Sequence, residues 1–341
     1  MARTVSALAA ALSVVLIASA GSHAADKNVT VNVDNFARAE TDMQISRMLK
    51  MSDGVNKWSH NRQPTPLDQQ NVIRMNRDTL YSMALVDISE GATVTMPDPD
   101  KRYVSTMVIN NDGYINKVFD GGGKFELTMD EFDTPYVVLI VRTLADAEDA
   151  ADVKAANALQ DNMKIEAASA KPFVMPNYGM KSYEATYKPL LKLSEGVPDT
   201  RKMFGKKEDV DPVRFLLGSA FGWGGLPIEE AYYLNVNPEL PVGEYEITVK
   251  DVPVDAFWSI SVYNKDGYFQ KNDLNSYSVN NISGTPNKDG SFTVHLGGCG
   301  DKRINCIPLT EGWNYIVRLY QPRKEILDGS WTFPSVKPVK N

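Results

Sequence analysis

Histidine and cysteine, which carry most nucleophilic and metal chemistry, are scarce: the 341 residues include three histidines and two cysteines. His60 and His295 are the bases that a Ser-His-Asp site would have to use. A zinc site would need His295, Cys299, Cys306 and a carboxylate such as Asp301, but this spacing matches no common zinc motif. Two cysteines so close together in an oxidising compartment pair with each other. We therefore predict a Cys299–Cys306 disulfide, with no metal and no cofactor.

A denser group of polar side chains lies where a strand is predicted to begin. Its candidate ligand-binding members are Asn76, Arg77, Asp78 and Tyr81. The guanidinium of Arg77 offers a fixed fork of donors, so the group is suited to an anionic or polyhydroxy ligand. The alternative is that these side chains form a polar network that pins a corner between domains.

A second set of aromatic and polar residues lies in the C-terminal third, where the candidates are Tyr263, Asn275, Tyr277 and Arg318. Along the predicted strand 258–263, alternation puts Trp258 and the two aliphatic residues on one face and the serines with Tyr263 on the other. The second face could bind a sugar or peptide by stacking and hydrogen bonding. The alternative is an internal polar brace or a subunit contact.

A carboxylate-based hydrolase is a further hypothesis, because glycosidases need only two acidic side chains across a cleft. The chain has 43 acidic residues, so the sequence selects no pair. This hypothesis predicts an aspartate or glutamate with a raised pKa in a deep pocket near one of the two polar groups.

The N-terminus has the pattern of a secretory signal peptide: Arg3, an apolar run from Val5 to Ala20, then small residues. The run is too short for a membrane-spanning helix, and we predict cleavage after about Ala24. The localisation that follows is periplasmic or secreted. No later segment is apolar enough to span a membrane.

The net charge of −7 becomes −8 once Arg3 is removed with the signal peptide. An acidic protein of this kind lacks the basic surface that nucleic acid or anionic lipid requires. We therefore expect neither as a partner. A small polar ligand and a homo-oligomer remain as expectations.

The chain is predicted to be mainly β with α: two antiparallel sandwiches with a helical segment between them. A leading helix is expected at 34–50, and the alanine-rich, charged run at 144–169 is predicted to be one long helix. Further helices are expected at 181–194 and 211–221. The predicted divisions are a signal peptide 1–24, an N-terminal domain 25–143, a helical connection 144–227 and a C-terminal domain 228–341.

Several motifs in the chain resemble two families that usually occur together, domain of unknown function 1254 and domain of unknown function 1214. The first resemblance rests on Asn76-Arg-Asp-Thr-Leu-Tyr-Ser82 and Tyr103. The second rests on Phe257-Trp-Ser-Ile-Ser-Val-Tyr263, Asn275-Ser-Tyr-Ser278, Arg318-Leu-Tyr320 and Glu325-Ile-Leu-Asp-Gly-Ser-Trp331. The resemblance implies two sandwiches of jelly-roll type and assigns no activity.

These observations favour a secreted or periplasmic protein that acts as a binding or assembly module of the cell envelope. The alternative is a hydrolase with a carboxylate-based site in the interdomain cleft, acting on a carbohydrate-like or ester substrate. Whether the protein is an enzyme stays open at the level of the sequence.

Overall fold

The computed structural model describes residues 28–70, 73–197, 199–301 and 303–339, so the predicted signal peptide lies outside the described residues. These ranges contain sixteen strands and six helices, with the strands in four sheets, which confirms the mainly β fold class. Among the pairings between these strands, one is parallel and the others are antiparallel. None of the helices in these ranges is long and apolar enough to cross a membrane.

The first module contains eight strands and three helices. The helices are α1 (Phe36–Leu49), α2 (Met129–Phe132) and α3 (Ala150–Asp161). The strands are β1 (Ser59–His60), β2 (Thr79–Asp87), β3 (Ala92–Met96), β4 (Val104–Asn110), β5 (Ile115–Asp120), β6 (Gly123–Leu127), β7 (Tyr136–Leu144) and β8 (Lys164–Ala167). They form a five-stranded sheet, β1-β2-β7-β4-β5, and a three-stranded sheet, β6-β3-β8.

The two sheets of this module pack through alternate residues of their strands. Val86 of β2 and Val141 of β7 share an apolar cluster with Val94 of the smaller sheet. Residues of opposite parity, such as Leu85 on β2 and Ile140 on β7, belong to a different cluster on the other face. The five-stranded sheet is therefore buried on both faces, which explains the nearly continuous burial of β7.

The long helix predicted over 144–169 is wrong at both ends, because only Ala150–Asp161 is helical. Helix α3 begins after the Asp149 cap, whose side chain accepts from the backbone N–H of Ala151, and it ends at Asp161. Residues 164–167 form β8, which pairs with β3. The pairing of residues 164–167 with β3 outweighs their helix propensity, because Ile165 completes the apolar layer of the smaller sheet. The predicted helical connection 144–227 therefore also contains a strand of the first sandwich.

The same connection contains two further helices close to the predicted positions. They are α4 (Met180–Ser194) and α5 (Pro212–Gly222). Pro212 occupies the first position of α5 after Asp211, whose carboxylate accepts from the next two free N–H groups. Both helices pack with α1 in a cluster that includes Phe36, Tyr183 and Leu217.

The second module is a sandwich of two four-stranded sheets. Its strands are β9 (Ala231–Val236), β10 (Tyr245–Val249), β11 (Trp258–Tyr263), β12 (Ser278–Asn280), β13 (Phe292–Leu296), β14 (Cys306–Ile307), β15 (Asn314–Tyr320) and β16 (Lys337–Pro338), with α6 at Lys324–Leu327. The sheets have the orders β12-β11-β15-β9 and β14-β13-β10-β16. Trp258, Ile260 and Val262 face the core between them, as the alternation predicts.

The five-stranded sheet of the first module faces the β12-β11-β15-β9 sheet of the second module, and we call these two the inner sheets. One apolar cluster joins Ile140 and Tyr103 of the first module to Phe257 and Tyr320 of the second. The ring of Phe257 stacks on that of Tyr320, with centroids 4.3 Å apart. Beside this apolar contact lies a layer of buried polar side chains, and the candidate site is built from that layer and its opening to solvent.

Candidate functional site

The eight predicted ligand-binding residues fall into two groups that are adjacent in space. Arg77, Asp78, Asn275 and Tyr277 line one cleft at the junction of the modules. Asn76, Tyr81, Tyr263 and Arg318 lie deeper, in the polar layer between the inner sheets. The structure thus brings together residues that are far apart in the chain, such as Arg77 and Tyr277, which are about 200 positions apart.

Both modules contribute walls to the cleft, which has a volume of about 180 Å³. The first module supplies the start of β2 and the loop that follows β7. The second supplies the segment that leads into β12 and the turn after it. The polar residues of the lining are Arg77, Asp78, Asp146, Glu148, Asn275, Ser276, Tyr277, Ser278, Asn280, Ser283 and Asn305.

Arg77 is the central cation of the cleft and is held from three sides. Its Nη1 donates to the carbonyl of Thr65, and its Nη2 lies 4.0 Å from Oε1 of Glu148. The guanidinium carbon lies 5.2 Å from the ring centroid of Tyr277, a cation–π contact. Burial lowers the pKa of the guanidinium, and the Glu148 carboxylate opposes this effect. The cation of the first module is therefore seated on an aromatic ring of the second.

Glu148 is a cleft residue that sequence reasoning missed. Its Oε2 accepts from the amide nitrogen of Asn275, and its side chain is half-exposed. The sequence gives little indication that Glu148 lines a cleft, because it lies in an acidic run whose composition predicts the first half of a helix. The actual loop before α3 turns this carboxylate toward the second module, where it joins Arg77 and Asn275.

Asp78 is a second carboxylate of the cleft, and it is buried, with 2 % of its surface exposed. Its Oδ2 accepts from the hydroxyl of Ser259 at 2.7 Å, and its Oδ1 accepts from that of Ser278 at 3.2 Å. The Asn76 side chain accepts from the backbone N–H of Asp78. Asp78 thus ties β2 to β11 and β12.

Arg318 is buried beneath the cleft with its donors engaged. Its Nη1 donates to Ser261, and its Nη2 reaches the carbonyls of Arg74 and Met75 and the hydroxyl of Tyr263. The Tyr263 hydroxyl in turn donates to the carbonyl of Met75. These contacts match the internal brace that is the alternative for this strand face.

Neither cysteine contributes to the cleft. The predicted Cys299–Cys306 disulfide is confirmed. No group of three His, Cys, Asp or Glu side chains that could hold a metal ion occurs within the described ranges.

The two histidines of the described chain also lie elsewhere. His60 lies on β1, 2.8 Å from the hydroxyl of Ser82. Burial, aided by the charge of Arg62, lowers the pKa of His60 to about 4. His295 lies on β13 opposite Cys306. The donors and acceptors of the cleft lining therefore come from side chains other than histidine and cysteine.

One carboxylate with a raised pKa, Glu230, lines a second concave site, a groove of about 810 Å³ beside β5. Burial, reinforced by the negative charges of Asp120 and Glu229, raises the pKa of Glu230 to about 7. Burial also raises the pKa of Asp120, at the end of β5. The raised pKa predicted for the hydrolase hypothesis is therefore present, but away from both predicted polar groups.

The comparisons with known proteins agree with the two-module architecture. A family model described as protein of unknown function (DUF1254) matches residues 55–167. A second, described as protein of unknown function (DUF1214), matches residues 237–324. No curated protein matches the chain.

Two solved structures show the same fold at low sequence identity. The VPA0106 protein from Vibrio parahaemolyticus is 21% identical, with a TM-score of 0.70 over 90% of this chain and 98% of that chain. An uncharacterized protein from Burkholderia cenocepacia is 16% identical, with a TM-score of 0.51 over 90% of this chain and 87% of that chain. These likenesses show the fold, and the family matches show a two-module chain in which a segment that matches DUF1254 is followed by one that matches DUF1214.

Proposed function

We propose that this protein binds a small polar ligand in the cleft between its two modules, as a binding or assembly module of the cell envelope. The observation that carries the proposal is the group formed by Arg77, Glu148, Asn275 and Tyr277 at the mouth of the junction. Because both modules contribute to this group, a ligand bound there would contact both and stabilise their relative position.

The chemistry of the lining favours an uncharged polyhydroxy ligand of monosaccharide size. Arg77 and Asn275 supply donors, Glu148 supplies an acceptor, and Tyr277 supplies a ring. A hydroxyl group both donates and accepts, so a polyhydroxy molecule can satisfy this mixed set. The cleft is smaller than the ~300–1,000 Å³ of sites for drug-sized ligands, which limits the ligand to a small molecule.

The contacts of Asp78 and Glu148 support binding rather than catalysis in this cleft. Asp78 already accepts from two serine hydroxyls, and Glu148 accepts from Asn275 beside the Arg77 cation. A catalytic carboxylate has to reach the reacting atoms of a substrate, whereas these two are held by donors of the protein itself.

A periplasmic or secreted location is part of the proposal. The disulfide fits a non-cytoplasmic protein, since such bonds persist in oxidising compartments. The predicted removal of residues 1–24 is tested by N-terminal sequencing of the protein from its natural envelope. An N-terminus at Met1 would contradict it. The expected homo-oligomer is tested on the same material by light scattering, where a monomer would contradict it.

The binding proposal is tested by calorimetric titration with glucose, N-acetylglucosamine and myo-inositol. We expect saturable binding of at least one of them, weakened about tenfold or more in Glu148→Gln and Asn275→Gly. Asn275 has a positive φ of 53°, which glycine adopts without strain, so the second variant should fold. Glu239→Gly is the matched control, because Glu239 is exposed, has the same backbone conformation and lies outside the cleft lining. Equal binding by all four proteins, or by none, would contradict the proposal.

A carboxylate-based hydrolase is the second candidate, favoured by Glu230, which lines the groove beside β5 and has a raised pKa. A glutamate with a pKa of about 7 can hold the proton that a general acid needs. The test is hydrolysis of 4-nitrophenyl acetate and 4-nitrophenyl glycosides. If the protein is such a hydrolase, we expect turnover of at least one of these substrates. The rate should fall at least about a hundredfold in Glu230→Gln. Turnover that is absent, or unchanged in the variant, would rule it out.

A further inference from the structure

Arg142 is a buried cation whose surroundings differ from those of Arg77 and Arg318. It lies on β7, the central strand of the inner sheet, directly opposite Tyr81 on β2 and Ser105 on β4. Only 5 % of its surface is exposed. Its Nη2 donates to the carbonyl of Gly224 at 2.9 Å, whereas its Nη1 is buried and has no acceptor among the described residues.

The facing sheet contains a similar row in which the arginine is fully engaged. Arg318 on β15 lies between Tyr233 on β9 and Ser259 on β11, as Arg142 lies between Tyr81 and Ser105. Both guanidinium Nη atoms of Arg318 have acceptors, and the Asp78 carboxylate also acts on its charge. The interface therefore provides acceptors for both Nη atoms of Arg318, but for only one Nη atom of Arg142.

Tyrosines, rather than carboxylates, surround the charge of Arg142 in the described part of the chain. The ionisable groups that act on it are Tyr81, Tyr103, Tyr233 and Tyr320. Its guanidinium carbon lies 5.5 Å from the ring centroid of Tyr81. A buried cation without a carboxylate or a complete set of acceptors is costly, and a bound anion would remove that cost.

The positive field of this arginine is also evident at Tyr81. Burial acts to raise the pKa of the Tyr81 hydroxyl. The charges of Arg142 and Arg318 and the hydrogen bond from Asn76 outweigh burial and lower that pKa. The surroundings of Tyr81 therefore favour negative charge.

Hydroxyl groups around Arg142 add further free donors. The amide of Asn76 donates to the hydroxyl oxygen of Tyr320 at 2.9 Å and lies 3.5 Å from that of Tyr81. Over the ranges that the structure describes, the O–H groups of Tyr233 and Tyr320 have no acceptor of their own, whereas the hydroxyl of Tyr81 also contacts Thr79. Tyr81 and Tyr233 are partly exposed as residues, whereas Arg142 is buried.

We propose that Arg142, with the hydroxyls of Tyr81 and Tyr233, binds a small oxyanion, either an inorganic one or the carboxylate of a small organic acid. The site is separate from the proposed polyhydroxy cleft, whose lining does not include Arg142. Arg142 and Tyr81 belong to the first module and Tyr233 to the second, so the site offers donors from both, and an oxyanion accepts several at once.

The experiment is a titration of the full mature chain with sodium selenate and, separately, with sodium acetate, at fixed ionic strength. Calorimetry gives the Kd, and anomalous scattering at the selenium edge locates selenate in crystals. We expect saturable binding of at least one of the two salts. Selenate binding would indicate an inorganic ion, and binding of acetate alone would indicate an organic acid.

Three variants decide the assignment. Arg142→Met retains the length of the side chain without its charge and should weaken the bound anion at least about tenfold. Tyr233→Phe should weaken anion binding severalfold. If Arg142→Met does not fold, the Kd of the Tyr233→Phe variant tests the proposal instead. Asn275→Gly, in the polyhydroxy cleft, should leave the anion Kd unchanged, which separates this proposal from the proposed function. The inference is overturned if neither salt binds, if Arg142→Met or Tyr233→Phe binds as the wild type does, or if selenate lies away from Arg142 as an adventitious ion only.

Discussion

Asp78 accepts a hydrogen bond from Ser259, which lies 181 positions later in the chain, and so connects the two modules. The motif around Asn76, Arg77 and Asp78 is recognisable in the sequence because polar residues rarely cluster at the start of a buried strand. The sequence is compatible with two roles for it, a ligand pocket and a pinned corner. The contacts of Asp78 fit the second role, while Arg77 faces the cleft.

Replacing Asp78 tests the structural role of this residue. We predict that Asp78→Ala lowers the free energy of unfolding by about 2–4 kcal/mol, because the buried hydroxyl of Ser259 and the partly buried hydroxyl of Ser278 lose their acceptor. Asp78→Asn should cost less, since an amide oxygen still accepts. Urea unfolding measures both, with Asp273→Ala as the control, because Asp273 is exposed. A loss no larger than that of the control would contradict the assigned role.

The contact partners of Glu148 and Arg142 could not be predicted from the sequence. Strand parity indicates which face a side chain takes, but not which distant segment covers that face. Glu148 meets Asn275 across 127 positions, and Arg142 meets Gly224 across 82. Neither partner can be inferred from local sequence, because both contacts depend on how distant segments of the chain pack.

Helices and strands with a strong local pattern were predicted correctly. Pro212 after an Asp cap marks the start of α5, and the alternation at 258–263 indicates both the strand and its core face. The prediction for 144–169 was wrong because alanine and charge favour a helix, whereas Ile165 gains more by completing the β6-β3-β8 sheet. A four-residue edge strand is too short to carry a pattern that could outweigh this preference.

The disulfide is predicted to stabilise the connection between β13 and β14. Replacing both Cys299 and Cys306 by alanine should lower the free energy of unfolding by about 2–3 kcal/mol, because a short closed loop is released in the unfolded chain. Urea unfolding of the variant, compared with the reduced wild type, measures this. The two should agree closely, and a variant as stable as the oxidised wild type would be inconsistent with the prediction.

The whole molecule consists of two sandwiches whose inner sheets face each other. Its stability should respond to the pH at which Glu230 and Asp120 ionise. The folded state raises the pKa of Glu230 to about 7, from an ordinary value of 4.5. The folded chain therefore holds this proton more tightly than the unfolded chain, and stability falls as pH rises from about 4.5 through 7. Asp120, whose pKa is also raised, adds an effect of the same sign.

Glu230→Gln should remove most of that pH dependence. Relative to wild type, we predict a gain of about 1–2 kcal/mol at pH 8 over pH 5, after allowing for solvent screening of a partly exposed group. Urea unfolding at the two pH values measures it, with Glu126→Gln on the exposed edge of β6 as the control. A variant that follows the wild-type pH dependence would show that Glu230 keeps its ordinary pKa.

We propose above that the cleft between the modules holds a small polar ligand. Native mass spectrometry of the protein isolated from its natural envelope tests this most directly, with wild type and Asn275→Gly prepared in parallel. We expect an added mass of monosaccharide size on the wild type that is reduced or lost in the variant. A wild-type chain of bare mass, or an added mass that the variant retains in full, would contradict it.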